Sequence, residues 1–229
     1  MSLQKTRTPT GIHSLDELLG GGFHSHAINL IYGEATTGKT TLSLTTVFHH
    51  LSTDRSSKAV YLDIDNKLNT SRLQQIAKAQ GENLLTRLQL FTPESYTMQG
   101  DALEHLPELR PGDLLIIDSI TGLYRGETED TEKTFKVNKE LNRQLGYLSE
   151  IAKTTGSTIL LTGQVRSILD TSQIEPVAQR LLRYWSETIT RLEKTANPSN
   201  RQAILEKPNQ TSNPIILTIN QTGITEEQK

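Results

Sequence analysis

Gly33-Glu34-Ala35-Thr36-Thr37-Gly38-Lys39-Thr40 is the stretch of this sequence in which residue type and spacing hold the most chemistry. Its two glycines let the backbone turn back on itself, so that several N–H groups converge on one concavity. The segment that follows, 40–50, is compatible with a helix and would aim the positive end of its dipole at the same point. A cavity of that kind suits phosphate oxygens. Lys39 would reach the β and γ phosphates as a point charge, and the Thr40 hydroxyl would take one place on a magnesium ion bridging them. Residues 33–40, with Thr41 on the first helical turn, form the expected phosphate cradle.

Three further positions could act beside it. Leu114-Leu115-Ile116-Ile117-Asp118-Ser119 delivers a carboxylate to the end of a buried strand, the edge at which open α/β sheets bind ligands. An aspartate there orients the shell of a phosphate-bound magnesium ion, so Asp118 is the second metal candidate beside Thr40. Ala59-Val60-Tyr61-Leu62 runs into Asp63-Ile64-Asp65, and strand alternation predicts both carboxylates on one face, one of them just past the strand end. One of them could polarise the water that attacks a γ phosphate. Asp65 reaches farther toward the loop, which leaves Asp63 to bond backbone. A fourth strand ends in Leu161-Thr162-Gly163-Gln164, where the Gln164 amide can donate to a γ phosphate and register its loss.

Alternating apolar runs and helical patterns must position these groups. Strands are predicted at 27–32, 58–63, 88–91, 114–118 and 157–162, and helices at 40–50, 71–80 and 131–155. The last carries Leu141, Leu145, Leu148 and Ala152 at helical spacing. This is the pattern of a mainly parallel sheet with helices on both faces. From Thr188 the rhythm changes to 189–193, 202–206 and 215–220, separated by Asn/Pro/Ser turns, which read as antiparallel strands added to one edge.

Composition removes several classes of function. The 229 residues fit one sizeable α/β domain, and no stretch is apolar enough to span a membrane. Residues 1–10 carry Lys5 and Arg7 without an apolar core, which argues against a secretory leader. The absence of cysteine excludes disulfides, thiolate metal sites and a cysteine nucleophile, and a cytoplasmic location is expected. A net charge of -2 gives no bulk attraction to nucleic acid, so any such binding must come from a local patch.

Thr10-Gly11-Ile12-His13-Ser14-Leu15-Asp16-Glu17-Leu18-Leu19-Gly20-Gly21-Gly22, the 33–40 loop, Asp118-Ser119-Ile120-Thr121-Gly122-Leu123-Tyr124-Arg125-Gly126-Glu127, Leu141-Asn142-Arg143-Gln144-Leu145 and Gly163-Gln164-Val165 follow one another in an order that resembles the RecA-fold recombinases of the archaeal RadA and RadB type. The resemblance covers nearly the whole chain. The short start, together with Phe91-Thr92-Pro93 and Pro176-Val177-Ala178, is most similar to the RadB paralogues. It implies one RecA-type P-loop NTPase core over residues 1–229, without the N-terminal helical domain and polymerisation motif of RadA. In that fold a mainly parallel central sheet is flanked by helices, with antiparallel strands at the C-terminal end. It further implies ATP and magnesium as ligands, a role in homologous recombination and repair, and DNA and a main recombinase of the RadA type as partners.

Carried over residue by residue, the resemblance makes Lys39 and Thr40 the ATP and magnesium ligands and Asp118 the Walker B acid. Gln164 becomes the switch glutamine that links ATP to the DNA loops. Arg72, in Asn69-Thr70-Ser71-Arg72-Leu73, matches an arginine that stacks on adenine, the other reading being a solvated helix charge. One departure matters. The family's catalytic position usually holds Glu in a D-x-E-G run, and here Asp65 is followed by Asn66. A carboxylate one methylene shorter lies about 1.5 Å from where it should act, and misplacement on that scale can cost about a hundredfold in rate. The expectation is an ATP-binding protein that hydrolyses weakly and in a DNA-dependent way.

For DNA, Arg166 and the polar segment up to Glu175 occupy the place of a DNA-contacting loop, followed by Arg180, Arg183, Tyr184 and Trp185. Basic residues beside aromatics suit a single strand, whose phosphates the charges track while rings stack on bases. Equally, Leu181, Leu182 and Trp185 are spaced for a helix that packs into the core, with Arg180 and Arg183 on its solvated face. Two other functional classes stay open. One is a nucleotide-switched adaptor in which Asp65 is too short for turnover. The other is a KaiC-like signalling ATPase, which shares the 11–22 segment but usually has paired glutamates at 63–65.

Overall fold

The computed structural model describes residues 7–81, 83–127, 131–167, 174–208 and 213–227, the side chains of 131–133 excepted. Strands β1 (Arg7–Thr8) and β2 (Phe23–His24) pair on either side of a short helix, α1 (His13–Leu18). The chain then alternates through β3 (Ala27–Gly33), α2 (Lys39–Thr53), β4 (Ala59–Asp63), α3 (Thr70–Gln80), β5 (Leu88–Phe91), α4 (Tyr96–Glu104) and β6 (Leu114–Asp118). Next come α5 (Gly122–Glu127), α6 (Thr131–Thr155), β7 (Thr158–Gly163), a small hairpin of β8 (Val165–Ser167) and β9 (Ile174–Pro176), and α7 (Gln179–Trp185). Four strands finish the described chain: β10 (Ser186–Lys194), β11 (Asn200–Lys207), β12 (Ile215–Asn220) and β13 (Gly223–Glu226).

Nine of these strands form one sheet in the order β13-β12-β11-β10-β3-β7-β6-β4-β5. From β10 to β5 every neighbouring pair is parallel. Only β11, β12 and β13 extend it antiparallel. The strand expected at 189–193 therefore needs correction: as β10 it is parallel to β3 and antiparallel to β11 alone. The reason is α7, which returns the chain to the start of the sheet, so that Ser186 pairs with Ile28 and Leu192 with Gly33. A parallel pair needs such a crossover.

Alternation within the strands divides the core into two layers. Tyr61, Leu114 and Ile116 pack with Leu44, Val47, Phe48 and Leu51 of α2. Val60, Leu62, Leu115 and Ile117 pack on the other face with Leu141, Leu145, Leu148 and Ala152 of α6. Those four α6 residues are fully buried, so the helical spacing read from the sequence is a core stripe. Both faces of the parallel strands are covered, which is why their sequences are continuous apolar runs rather than alternating ones. Among the described residues no helix is long and apolar enough to cross a membrane.

Candidate active site

The parallel strands β3, β4, β6 and β7 all end at one edge, and their last residues or the turns just beyond supply the candidate groups. β3 stops at Gly33, where an added Cβ would lie 2.3 Å from the Leu192 carbonyl oxygen, so the close approach of β10 leaves no room for a side chain. The chain re-enters helix at Lys39 through Gly38, whose φ of 94° is left-handed. Lys39 Nζ donates to the carbonyls of Gly33 and Glu34, both at 2.8 Å, which folds the ammonium across the loop. Burial holds its pKa below the ordinary lysine value, partly offset by Asp118 and Asp65.

Asp118 collects three hydroxyls. Oδ2 accepts from Thr40 Oγ1 at 2.6 Å and from Tyr61 OH at 2.7 Å, while Oδ1 accepts from Thr162. Tyr61 is fully buried, and that burial, with Asp118 close by, lifts its pKa well above the ordinary phenol value. Tyr61 and Thr162 were not singled out from sequence. Their only signal is that each sits inside a strand that also delivers a candidate residue to this edge.

Asp63 and Asp65, the second of which lies past the end of β4, take different partners. β4 ends at Asp63, whose carboxylate accepts from the backbone N–H of Lys67 at 3.2 Å and Leu68 at 2.8 Å and so closes the following turn. Its burial raises the carboxyl pKa, and those two amide bonds pull it back. Beyond β4 the chain turns, with Asn66 at φ 49°, and Asp65 swings toward β7. There its Oδ1 and Oδ2 accept from Gln164 Nε2 at 3.0 and 2.9 Å. Lys67 Nζ stands 3.6 Å from Asp65 Oδ2. Gln164 Oε1 in turn accepts from Arg125 Nη1 at 3.1 Å.

Lys39, Thr40, Thr41, Asp65, Asp118 and Gln164 line one cavity of about 780 Å³ with Gly33, Ala35, Thr36 and Gly38. Three cations that sequence reasoning did not assign, Lys67, Arg125 and Arg201, line it too. Arg201 comes from β11 and is only 9% exposed. Its Nη2 donates to the Thr36 carbonyl at 3.0 Å and its Nη1 to that of Pro198 at 2.7 Å. Thr37 is buried and braces the loop through its hydroxyl on the Glu34 carbonyl at 2.9 Å. The Glu34 carboxylate lies 3.7 Å from Lys194 rather than in the cavity. Thr40 and Asp118 are the oxygen groups that could hold a metal ion, and two protein oxygens suit magnesium, which keeps several waters and takes other ligands from phosphate.

The remaining candidates lie apart from this cavity. Arg72 donates to the carbonyls of Asn220 and Gln221, both at 2.7 Å, and so clamps the β12–β13 turn. Arg166 pairs with Glu175 across the β8–β9 hairpin at 2.6 Å. Arg183 lies 3.9 Å from Glu206, and Arg180 is exposed. Residues 168–173 of the expected DNA loop lie outside the described residues. In α7, Leu182 is buried and Trp185 is anchored to Asn142 of α6 at 2.9 Å, whereas Tyr184 is 75% exposed. Leu182 and Trp185 thus follow the packed reading of α7, while Arg180 and Tyr184 stand on its exposed side.

A mainly parallel sheet with this loop after one central strand, and an acid and an amide after two others, has the RecA-like architecture. A solved structure described as that of the RadB recombinase superposes with a TM-score of 0.80 at 31% identity, covering 96% of this chain and 100% of that one. The sequence pattern of the Rad51 family matches residues 4–227, and the chain belongs to that family. Similar proteins include the DNA repair and recombination protein RadB of Thermococcus gammatolerans, 38% identical over 86% of this chain and 88% of that protein. The protein of the same name from Methanococcus maripaludis strain C5 is 34% identical over 84% of this chain and 87% of its own length.

Proposed function

We propose that this chain is a RadB-type recombination and repair protein that binds ATP with magnesium at the 33–41 loop, hydrolyses it slowly, and acts beside a main recombinase of the RadA type on single-stranded DNA in the cytoplasm. The observation that carries the nucleotide part is the convergence on one cavity of Lys39, the Thr40–Asp118 pair and the Asp65–Gln164 pair. Phosphate oxygens would compete with the Gly33 and Glu34 carbonyls for the Lys39 ammonium. Thr40 and Asp118 would hold magnesium, which neutralises phosphate charge when bound. Asp65 would take a proton from an attacking water, with Gln164 as the donor beside it. DNA contact is supported by Arg180 and by Tyr184, which stands 75% exposed at the end of α7.

A nucleotide-switched adaptor is the second reading, favoured by one observation. Both Asp65 oxygens are held by the Gln164 amide, on a side chain already a methylene shorter than the family's usual Glu. ATP binding by calorimetry and steady-state hydrolysis with magnesium, each with and without single-stranded DNA, separate the two. Turnover stimulated by DNA supports the ATPase. Binding without turnover in either condition supports the adaptor, and no ATP binding refutes both.

A further inference from the structure

We infer that α5 braces the Asp65–Gln164 pair, with Arg125 as the positioning residue that fixes the Gln164 amide. The inference rests on the reading above that these two residues serve the terminal phosphate.

A carboxylate offers only acceptors, a guanidinium only donors, and a primary amide one group of each kind. Gln164 sits between the two: Nε2 donates to both Asp65 oxygens at 3.0 and 2.9 Å, and Oε1 accepts from Arg125 Nη1 at 3.1 Å. Turning the amide over would set oxygen against carboxylate and NH2 against guanidinium, so chemistry permits only this orientation. The backbone of Gln164 is anchored separately, its N–H on Thr121 Oγ1 at 3.2 Å and its carbonyl on the Val177 N–H at 2.9 Å. Those bonds leave the side-chain torsions to be set at the tip, where Asp65 holds one side and Arg125 the other.

The same helix touches Asp65 from below. A Cβ on Gly122 would lie 2.0 Å from Asp65 Oδ1, so the carboxylate rests directly on the backbone at the start of α5. Gly122 and Arg125 are three residues apart, the spacing that puts two positions on one helix face. One face of α5 thus meets both partners, and a shift of α5 would move Asp65 and Gln164 together. The pair otherwise belongs to two separate strand ends, β4 and β7, and its members lie 99 positions apart in sequence.

The test uses the full-length protein and two readouts. Arg125→Ala should keep ATP affinity within about twofold of wild type and lower turnover about tenfold or more, the scale of a small misplacement. Arg125→Lys, which keeps a donor, should restore part of that loss. Independently of turnover, the Gln164 side-chain amide, assigned by NMR from its disappearance in Gln164→Leu, should exchange faster with solvent in Arg125→Ala. An unchanged amide signal in folded Arg125→Ala overturns the proposal whatever the rate. A loss of ATP affinity equal to the loss of turnover also overturns it, because Arg125 would then touch the nucleotide itself. Wild-type turnover in Gln164→Leu would instead refute the assigned role of Gln164, and leave the amide signal to judge Arg125.

Discussion

Thr40 and Asp118 lie 78 residues apart in sequence, yet the threonine hydroxyl donates to the aspartate at 2.6 Å across the mouth of the loop. The pair explains how a hydroxyl on the first turn of α2 and a carboxylate at the end of β6 could share one ion. Magnesium taken up this way depends on the carboxylate charge. Asp118→Asn keeps the shape and one acceptor, but leaves at least one of the hydroxyls of Thr40, Tyr61 and Thr162 without its partner. It should cost about 1–3 kcal/mol of stability and abolish the gain in ATP affinity that magnesium gives wild type. Calorimetric titration of ATP with magnesium and with chelator checks this. A full magnesium effect in the variant would remove Asp118 from the metal site.

Gly122 makes a different claim testable. Its α-hydrogen face is where Asp65 rests, and a methyl group there would meet Oδ1 at 2.0 Å. The aspartate tip can yield by about 1 Å at little cost to the fold, so Gly122→Ala should lower turnover by up to about a hundredfold while ATP still binds normally. Parallel measurement of kcat and nucleotide Kd decides the matter. Equal loss in both would mean that the methyl group blocks the cavity rather than moving Asp65.

The parts of this site that could be read from sequence are those set by short-range pattern. The 33–40 loop, Asp118 and Gln164 each follow an apolar strand directly, so their place at the sheet edge is fixed by a few neighbouring residues. The partners of Asp63 and Asp65 were harder, because they depend on the turn that follows the end of β4 at Asp63. The direction of β10 depends on where α7 leaves the chain, which the residues of 189–193 do not encode. Arg125 and Arg201 reach the cavity from α5 and β11 by tertiary packing, and nothing in their local sequence distinguishes them from surface cations.

Arg201 illustrates what such a remote residue contributes. It ties the Thr36 carbonyl, at a position with φ 64°, to the carbonyl of Pro198 through two different guanidinium nitrogens. Lysine carries the same charge on a single ammonium and lacks the planar fork needed to reach both. Arg201→Lys should therefore lower stability by about 2 kcal/mol and weaken ATP binding about tenfold as the loop loosens. Denaturant midpoint, at unchanged slope, and nucleotide affinity are the measurements. A stable variant with normal affinity would reduce Arg201 to a residue of the β11 turn.

Lys39 supplies a prediction in which stability and binding move in opposite directions with pH. Burial lowers its pKa from the ordinary 10.5, outweighing the opposing pull of Asp118 and Asp65. With the folded-state pKa below the unfolded one, the unfolded chain binds more protons between the two values, so stability rises as pH climbs through that window. Below the folded pKa the full penalty of the buried charge is present, and above 10.5 it is gone. Lys39→Met removes this titration, so the unfolding free energy of wild type should gain on that of the variant as pH climbs toward 10.5. Phosphate contact needs the proton that folding disfavours. ATP affinity of wild type should accordingly fall over the same window, beginning below 10.5, while Lys39→Met binds ATP weakly throughout. Unfolding curves for the two proteins that stay parallel with pH would show that the Lys39 ammonium is not held at a penalty, and would leave its bonds to Gly33 and Glu34 as the dominant influence on it.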